Sequence, residues 1–363
     1  MSEYIICNLI PTYQEAPVSL ELLSKQTTRM IALLKANPSE KKYIVLNKED
    51  KDIQMCLEEL EAIQEITLIE VKEKGGFVYG NKTAVEKMVH GEKPLPTGIG
   101  TNLPVYSLEE LLALEEKTFF IGGNAKNKGK YTFNKTIKPR IILEQCGSLK
   151  EFKGMYFGYP MGKIINAGQL DEELVVTTDY IHIFDETDCI LNELVKIAVR
   201  FGKESCGRCV YGYEGVTQIN MILSDMAQKK GKSEDIELLM DLCNVMKTQA
   251  LCDIGSSAAT TVLTAFQNFK EEIEEHITKK NCKTAVCEKF VTYHILPDLC
   301  IGCTDCMDAC EEEAILGKKK FIHVIDQEEC TQCGKCVSAC EEGAIVKAGA
   351  IKPKGPKKPI PCK

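Results

Sequence analysis

The chain of 363 residues has no tryptophan and only five histidines, and the lack of tryptophan excludes nothing by itself. No apolar stretch is long enough to cross a bilayer, so the sequence predicts no membrane span. The amino terminus lacks the basic and then apolar pattern of an export signal. Acidic residues outnumber basic ones, and the formal net charge is −8. This charge argues against a nucleic-acid-binding protein, because such proteins bind phosphates with an excess of lysine and arginine. These absences favour a cytoplasmic protein.

Cysteine, in contrast, is abundant, with nineteen residues. Without an export signal, so many thiols indicate a reducing compartment in which thiols hold metal rather than form disulfides. The hydrophobic fraction of 44% and the charged fraction of 27% are ordinary for a globular protein. The length predicts about two to four domains.

Eight cysteines form two identical ladders near the end of the chain, each with the spacing Cys-x2-Cys-x2-Cys-x3-Cys. The first ladder contains Cys300, Cys303, Cys306 and Cys310, and the second contains Cys330, Cys333, Cys336 and Cys340. This is the spacing of a two-cluster bacterial ferredoxin, in which the fourth cysteine of each ladder binds the other cluster. Disulfides would suit a small secreted domain, and zinc sites normally use two Cys-x2-Cys pairs, so the doubled ladder favours two [4Fe-4S] clusters.

The crosswise rule assigns four ligands to each cluster. Cluster one is predicted to bind Cys300, Cys303, Cys306 and Cys340. Cluster two is predicted to bind Cys330, Cys333, Cys336 and Cys310.

The remainder of the chain changes pattern along its length. The first hundred residues alternate apolar runs at 4–7, 43–46 and 66–69 with helical periods at 20–35 and 50–62, which predicts an α/β layer. Short strand patterns around 119–121 and 131–133 indicate a small β module. Helical periods follow at 190–201, 215–229, 235–246 and 258–277. The tail from Ala348 alternates Lys, Pro and Gly, which favours a solubilising end over a docking arm.

Several segments resemble, in order, the flavin-carrying NADH-oxidising subunit of respiratory complex I and its relative in electron-bifurcating iron hydrogenases. The segment 204–209 (Glu-Ser-Cys-Gly-Arg-Cys) resembles a cluster-binding loop of that family, and 251–255 (Leu-Cys-Asp-Ile-Gly) resembles the segment that supplies the fourth ligand. The segment 76–84 resembles the strip that borders flavin and nicotinamide. Gly122, Lys128, Gly129 and Tyr131 resemble parts of the family's β-grasp module.

The resemblance implies a fold class: an α/β remnant of a flavin domain, a β-grasp module, an α-helical bundle and a ferredoxin-like domain with two [4Fe-4S] clusters. The expected domains are the degenerate flavin/NADH-type domain at 1–116, the β-grasp module at 117–180 and the helical cluster-binding bundle at 181–280. The ferredoxin domain is expected at 281–346 and a basic Pro/Gly-rich tail at 347–363.

The flavin site departs from the family at several independent places. The glycine-rich loop that cradles the flavin phosphate has no counterpart, since the chain begins at the following strand, and 9–12 read Leu-Ile-Pro-Thr where acidic residues are expected. Two glutamates of the flavin strip are Asn81 and Lys82, and an expected Asn-Asn pair is Tyr106-Ser107. Without a cradle of backbone N–H groups a flavin lacks its anchor, so FMN and NAD binding are predicted to be lost.

A third cluster is implied by the resemblance at Cys206, Cys209 and Cys252, but its remaining ligand, expected at 212, is Gly212. Three alternatives stay open: a three-iron cluster, a four-iron cluster with a substitute ligand such as Cys189 or Cys243, or three ordinary buried thiols without a cluster.

Cys282 and Cys287 directly precede the ferredoxin ladders and resemble a cysteine pair of the hydrogenase relatives. With His323 or His294 they are candidates for a zinc site, the alternative being two free linker thiols. The other cysteines (Cys7, Cys56, Cys146, Cys189 and Cys243) are interpreted as core residues and Cys362 as free. His90, His182 and His276 show no partner pattern.

Glu311 and Glu341 follow the ladders at the position where ferredoxins usually carry proline. A carboxylate beside each cluster predicts a lower reduction potential, because reduction adds an electron next to a negative charge.

Together these features predict an iron–sulfur electron-transfer and assembly subunit of a multi-subunit soluble oxidoreductase, of hydrogenase, formate dehydrogenase or electron-bifurcating type. Its expected partners are other redox subunits, with free ferredoxin as a further candidate and no nucleic acid. Two alternatives remain: a divergent NAD(P)H dehydrogenase subunit with FMN, and a structural adaptor that uses metals as staples.

Overall fold

A computed structural model describes residues 3–11, 18–72, 76–176, 178–349 and 352–362. The helices are α1 (Val18–Ala36), α2 (Lys51–Gln54), α3 (Leu57–Glu61), α4 (Phe77–Gly80), α5 (Lys82–Val89), α6 (Leu108–Leu111), α7 (Pro139–Gln145), α8 (Ile190–Glu204), α9 (Val216–Ala227), α10 (Ser233–Gln249), α11 (Asp253–Thr278), α12 (Asp305–Asp308) and α13 (Lys335–Ala339). A π-helix, Tyr211–Gly215, precedes α9, and short 3-10 helices lie at Leu149–Glu151, Ala167–Gln169 and Glu288–Phe290.

The strands are β1 (Tyr4–Asn8), β2 (Lys41–Leu46), β3 (Thr67–Glu70), β4 (Val105–Ser107), β5 (Glu116–Gly123), β6 (Gly129–Asn134), β7 (Thr136–Ile137), β8 (Gly154–Tyr159), β9 (Lys163–Asn166), β10 (Leu174–Val175), β11 (Tyr180–Phe184), β12 (Thr292–Ile295), β13 (Ile315–Leu316), β14 (Phe321–Ile322), β15 (Val324–Ile325), β16 (Ile345–Ala348) and β17 (Ile360–Pro361).

The chain divides into two compact units. The first contains Met1–Glu186, Leu194–Met221 and Ile236–Phe269, and the second contains Thr187–Glu193, Ile222–Asp235 and Lys270–Lys363. The residues of the four long helices α8 to α11 are therefore divided between the units, and α11 has a non-helical residue, Phe269, at the point of division.

The first sheet of the first unit is parallel, with strand order β3-β2-β1-β4. Apolar residues fill both of its faces: Ile5 and Cys7 of β1 pack with α1, α2 and α3, whereas Ile6 packs with Val85 and Val105 on the opposite face. This two-sided burial explains why β1 reads as a continuous apolar run. Since β1 lies between β2 and β4, the chain changes direction across the sheet at the carboxyl end of β1, where open parallel sheets bind ligands.

The second sheet has the order β6-β5-β11-β8-β9. Its central strands β5 and β11 are parallel, and the remaining neighbours are antiparallel. Alternate residues of β5, Phe119 and Ile121, enter a core that also contains Ile142 and Leu143 of α7. The other face carries Phe120, which stacks on Tyr180 at 5.9 Å between ring centroids.

The second unit carries the ferredoxin ladders on short antiparallel pairs, β12–β16, β13–β15 and β14–β17. Its small core joins Ile295, Ile315, Ile325 and Ile345 to the cysteines of the ladders. Of the helices formed by the described residues, none combines the length and the apolar composition needed to span a bilayer.

Candidate metal centres

The two ferredoxin loops have matching backbones. In each loop the residue before the second cysteine and the residue after it are left-handed: Gly302 and Thr304 in the first loop, Gln332 and Gly334 in the second, with φ of 71°, 88°, 62° and 76°. A helix of one turn, α12 or α13, then carries the third cysteine. Gly302 is required for packing as well, because a Cβ there would lie 2.6 Å from the backbone nitrogen of Phe321. Each tight loop therefore aims three thiols at one place.

The thiols of the two ladders converge crosswise. Burial raises the pKa of Cys306 to about 12, and its neighbouring charges are those of Cys303, Cys300 and Cys340 before that of Cys336. Burial also raises the pKa of Cys336, with the charges of Cys330, Cys333 and Cys310 beside it. These neighbours are the ligand sets that the spacing assigns to cluster one and cluster two. Because four thiolates repel one another in a half-buried site, a cationic iron core is the natural counter-charge.

His323 lies against Cys306, a predicted ligand of cluster one, rather than with the cysteine pair of the linker. It is 1% exposed, and its Nδ1 is 3.3 Å from Sγ of Cys306. The predicted zinc partnership of His323 with Cys282 and Cys287 is therefore wrong. An imidazole N–H at this distance from a cluster thiolate can donate to the sulfur, a contact of the kind that tunes cluster potentials.

Glu311 forms an ion pair with Lys335 beside the ladders. Its Oε1 is 2.5 Å from Nζ of Lys335, which joins the end of the first ladder to the start of α13. Both side chains are exposed, so the pair contributes little stability. The lysine offsets the charge of Glu311, and the predicted lowering of the cluster potentials by that carboxylate is weakened accordingly.

The tail docks on the ferredoxin rather than ending in solvent. Its strand β17 pairs with β14, with Phe321 opposite Pro361 and Ile322 opposite Ile360. Cys362 continues the contact, since its N–H donates to the carbonyl of Lys320 and its Sγ lies 3.4 Å from the carbonyl oxygen of Cys300. The preference for a solubilising end is therefore wrong for the described residues; residues 350, 351 and 363 of the tail lie outside them.

The loop after α8 brings Cys206 and Cys209 close to Cys252. Gly255, in the first turn of α11, allows the chain to pack closely on itself, since a Cβ at 255 would lie 2.8 Å from the Cβ of Ala250. Burial raises the pKa of Cys252 to about 11, and the neighbouring charges of Cys209 and Cys206 add to the effect. The three predicted ligands are thus brought together.

The substitutes considered for position 212 lie elsewhere. Cys189 belongs to a different group of thiols, described next, and burial alone raises the pKa of Cys243 to about 12. Neither residue completes the set formed by Cys206, Cys209 and Cys252.

A compact group of four ligands lies in the second unit: Cys189, His276, Cys282 and Cys287. All four are buried, and their ligand atoms lie within 4.8 Å of one another. The Sγ of Cys189 is 3.3 Å from Nε2 of His276 and 3.6 Å from Sγ of Cys287, which is itself 3.7 Å from Nε2. Cys189 directly precedes α8, and His276 lies in the last turn of α11. The interpretation of Cys189 as a core residue and of His276 as unpartnered is therefore wrong.

The imidazole of this group is held in a fixed orientation. Nδ1 of His276 lies 3.0 Å from the carbonyl oxygen of Glu272, so it can donate there and leave the Nε2 lone pair facing the thiols. The carboxylate of Glu272 in turn accepts from the N–H of Ile190, at 3.0 Å. Phe290 packs edge-on against the ring at 5.0 Å. A backbone acceptor behind a ligating histidine is the usual support of a metal site.

The electrostatics of the group favour a positive charge beside its thiols. Burial lowers the pKa of His276, but hydrogen bonds with Cys189 and Cys282 outweigh it and raise that pKa to about 10. Hydrogen bonds from Cys189 and Cys287 lower the pKa of Cys282. Hydrogen bonding to Cys189 and Cys282 raises the pKa of Cys287. A set of three sulfurs and one nitrogen matches the donors that tetrahedral Zn²⁺ prefers.

Part of this group has a local signal in the sequence. His276, Cys282 and Cys287 follow one another with spacings of His-x5-Cys-x4-Cys. Cys189 has no such signal because it lies 98 residues before Cys287.

A cavity of about 210 Å³ lies at the carboxyl ends of β1 and β4, among Asn8, Ile10, Lys82 and Ser107. Lys82 forms an ion pair with Glu110 at 3.2 Å at the same place. The volume is below the range of roughly 300–1,000 Å³ that is typical of cofactor pockets. In the strip that resembles a flavin border, the N–H of Phe77 donates to the carboxylate of Glu204 at 3.1 Å.

The floor of this cavity is a buried ion triad. Nζ of Lys117 is 2.6 Å from Oε2 of Glu109 and 2.7 Å from Oδ1 of Asp179, and all three residues are less than a tenth exposed. Burial lowers the pKa of Lys117, but the charges of Asp179 and Glu109 outweigh it, so the net shift is upward. The triad ties α6 to the second sheet.

Comparison with known protein families matches two regions of the chain. Residues 193–276 match the family described as NADH-ubiquinone oxidoreductase-F iron-sulfur binding region, and residues 299–344 match a 4Fe-4S dicluster domain. The NADP-reducing hydrogenase subunit HndC of Solidesulfovibrio fructosivorans is 29% identical over 222 residues, which is 57% of this chain and 45% of the relative. The F subunit of the NADH-quinone oxidoreductase of Streptomyces coelicolor is 27% identical over 178 residues, or 45% of this chain and 39% of the relative.

The chain is homologous to both proteins. Its matched region spans less than half the length of either relative. A solved structure of an NAD+-reducing [NiFe]-hydrogenase has a similar fold, with a TM-score of 0.64 and 19% identity, covering 76% of this chain and 56% of that one. The chain is accordingly an iron–sulfur protein of complex I-like and hydrogenase-like ancestry, with a mixed α/β architecture and a ferredoxin-like domain.

Proposed function

We propose that the chain is an electron-transfer and assembly subunit of a multi-subunit soluble oxidoreductase. The observation that carries the proposal is the crosswise convergence of the ladder thiols: Cys306 faces Cys300, Cys303 and Cys340, and Cys336 faces Cys310, Cys330 and Cys333. Two [4Fe-4S] clusters held by these sets supply one-electron chemistry, and the chain supplies their position, burial and electrostatic surroundings.

The α/β layer serves, in this proposal, as a scaffold rather than a flavin site. The cavity at the carboxyl end of β1 is small, Lys82 and Glu110 form an ion pair across part of its wall, and the Phe77 N–H is already bonded to Glu204. The residues present therefore do not fit FMN, and no hydride step is assigned to this chain. The five-stranded sheet, interpreted as a β-grasp module, and the α/β layer would then be docking surfaces for other redox subunits.

The group of Cys189, His276, Cys282 and Cys287 is proposed to bind one zinc ion. A tetrahedral ion with Zn–S of about 2.3 Å and Zn–N of about 2.0–2.1 Å separates its sulfurs by about 3.8 Å and each sulfur from nitrogen by about 3.5 Å. The distance of 3.6 Å between the sulfurs of Cys189 and Cys287 lies slightly below the first value, and the distances of 3.3 and 3.7 Å from these sulfurs to Nε2 of His276 bracket the second. With no open ligand position, such a site is structural: it would tie the ends of α8 and α11 to the segment that leads into the ferredoxin.

The names of the relatives support other redox subunits as partners. HndC is named as a subunit of an NADP-reducing hydrogenase, and the Streptomyces relative is named as a subunit of NADH-quinone oxidoreductase. For this chain we propose a hydrogenase, formate dehydrogenase or electron-bifurcating partner that supplies the flavin, and free ferredoxin as an exchange partner.

The test is metal and flavin quantification on the anaerobically isolated full-length protein. The proposal predicts at least about eight irons per chain in the ferredoxin, about one zinc and no flavin. Stoichiometric FMN with NADH-dependent dye reduction would establish the dehydrogenase alternative instead. Clusters that dithionite does not reduce would establish the structural adaptor.

A further inference from the structure

The loop between α8 and α9 presents three thiols and a glycine where a cubane needs four ligands. Position 212 faces the thiols directly, since a Cβ built on Gly212 would lie 2.7 Å from Sγ of Cys209. The backbone N–H of Gly212 also donates to that sulfur, at 3.3 Å. Gly212 is part of the π-helix that precedes α9, and such single-turn insertions concentrate at functional sites.

No other thiol of the described residues is placed to complete this set. Cys7 and Cys56 lie in the core of the α/β layer, and Cys146 lies in the core of the second sheet. The remaining cysteines beyond Cys206, Cys209 and Cys252 are the buried Cys243, those of the four-ligand group, those of the ladders, and Cys362 beside Cys300. The nearest hydroxyl, that of Ser205, donates a hydrogen bond to the carbonyl of Gly212 and so stabilises the loop.

We propose that Cys206, Cys209 and Cys252 hold an iron–sulfur cluster with one exchangeable iron, the iron nearest position 212, which no cysteine of the described residues binds. Gly212 is buried, and its neighbours Val210 and Tyr213 are 68% and 51% exposed. Thiolate is the ligand class that iron–sulfur clusters prefer.

The loss and return of this iron balance in atoms and electrons. When a [4Fe-4S]²⁺ cluster with three protein thiolates is oxidised, it releases one Fe²⁺ and one electron and becomes [3Fe-4S]⁺. Ferricyanide accepts the electron and becomes ferrocyanide. Fe²⁺ with dithionite reverses the reaction. The inference rests on the proposed relay function, to which it adds a third centre, but it concerns other residues than the ferredoxin ladders.

The experiment treats the anaerobic full-length protein with ferricyanide and measures iron content and low-temperature EPR. Wild type is expected to fall from about twelve irons per chain to about eleven and to show the spectrum of an oxidised three-iron cluster. Addition of 2-mercaptoethanol to the reconstituted protein is expected to change the EPR spectrum of the reduced third cluster. Gly212→Cys should keep about twelve irons and lose both responses, because it supplies the missing thiolate. Gly212 is outside the left-handed region, so the backbone accepts this substitution, and the Sγ of Cys209, which a Cβ at 212 would approach to 2.7 Å, has to shift.

Three further variants make the result decisive. Gly212→Ala adds the Cβ without sulfur and should respond as wild type does. Cys206→Ala removes the third centre and gives the ferredoxin background of about eight irons. Asp253→Asn tests the carboxylate beside Cys252, whose pKa burial raises.

Two outcomes would overturn the proposal. One is a wild-type cluster that resists ferricyanide until Asp253 is replaced, since Asp253 would then be the fourth ligand. The other is equal iron in wild type and Cys206→Ala, since no third cluster would then exist. Both outcomes leave the relay function standing, whereas loss of the background of about eight irons would refute that function separately.

Discussion

Replacement of Cys189 by alanine tests the proposed zinc site and the fold around it. Cys189 supplies one of three sulfurs, and its Sγ lies 3.3 Å from Nε2 of His276 and 3.6 Å from Sγ of Cys287. A bound ion at 1,000 times its dissociation constant stabilises the folded state by about 4.1 kcal/mol. Loss of an outer-shell partner alone weakens such sites by about 10–100-fold. Loss of a ligand should therefore remove at least about 1.4–2.8 kcal/mol and most of the bound zinc.

Cys243→Ala is the matched control, because Cys243 is as buried as Cys189 but is not part of the four-ligand group. Zinc content after dialysis and urea unfolding with and without a chelator are measured for both variants and wild type. Wild type and Cys243→Ala should retain about one zinc and lose stability when the chelator is added. Cys189→Ala should contain little zinc and be insensitive to the chelator. Equal zinc content and equal destabilisation in the two variants would refute the site, since both effects would then come only from the lost packing of a buried sulfur.

Three more outcomes are expected. Lys117→Met should cost about 3–5 kcal/mol of unfolding free energy at neutral pH because it leaves two buried carboxylates together. The pKa of Lys117 in the folded protein is raised above its ordinary 10.5. The extra unfolding free energy of wild type over Lys117→Met should therefore be complete below pH 10.5 and be lost as the pH rises through the higher pKa of the folded state. If urea unfolding finds the same difference between the two proteins at that high pH, this expectation is contradicted. His323→Leu should lower the potential of cluster one in an EPR-monitored redox titration by removing a donor to sulfur, and an unchanged or higher potential would oppose that role. Ile360→Pro should loosen the β14–β17 pairing and speed the loss of cluster one in air, relative to a Lys357→Ala control.

Local patterns predicted the long helices and the cluster-binding loops well. The helical periods at 190–201 and 235–246 correspond to α8 and α10, which extend only a few residues further. The segment 50–62, predicted as one helix, is two short ones, α2 and α3. The ladder spacing predicts which thiols come together in each set of four. Each loop carries three of them within seven residues, and in two-cluster ferredoxins the fourth cysteine of each ladder belongs to the other set.

Features that depend on distant pairing could not be predicted in the same way. Strand β11 has no local hairpin signal, because its neighbours are β5, some sixty residues earlier in the chain, and β8. Strands β8 and β9 are also not predicted from the sequence, although these two strands form a local antiparallel pair. The partnership of Cys189 with His276 arises because the start of α8 meets the end of α11. The prediction that groups His323 with Cys282 and Cys287 fails for the same reason. The fold of the ferredoxin brings His323 to Cys306, and no spacing rule in the sequence predicts that contact.

Low-temperature EPR of the dithionite-reduced full-length protein tests the central claim most directly. Two reduced [4Fe-4S] clusters that share ligands crosswise lie close together, so a magnetically coupled spectrum is expected from both ladders. Cys306→Ala should simplify it to the signal of cluster two alone. A protein that stays EPR-silent after reduction, or that gives the same spectrum when Cys306 is replaced, would contradict the assignment of paired clusters to the ladders.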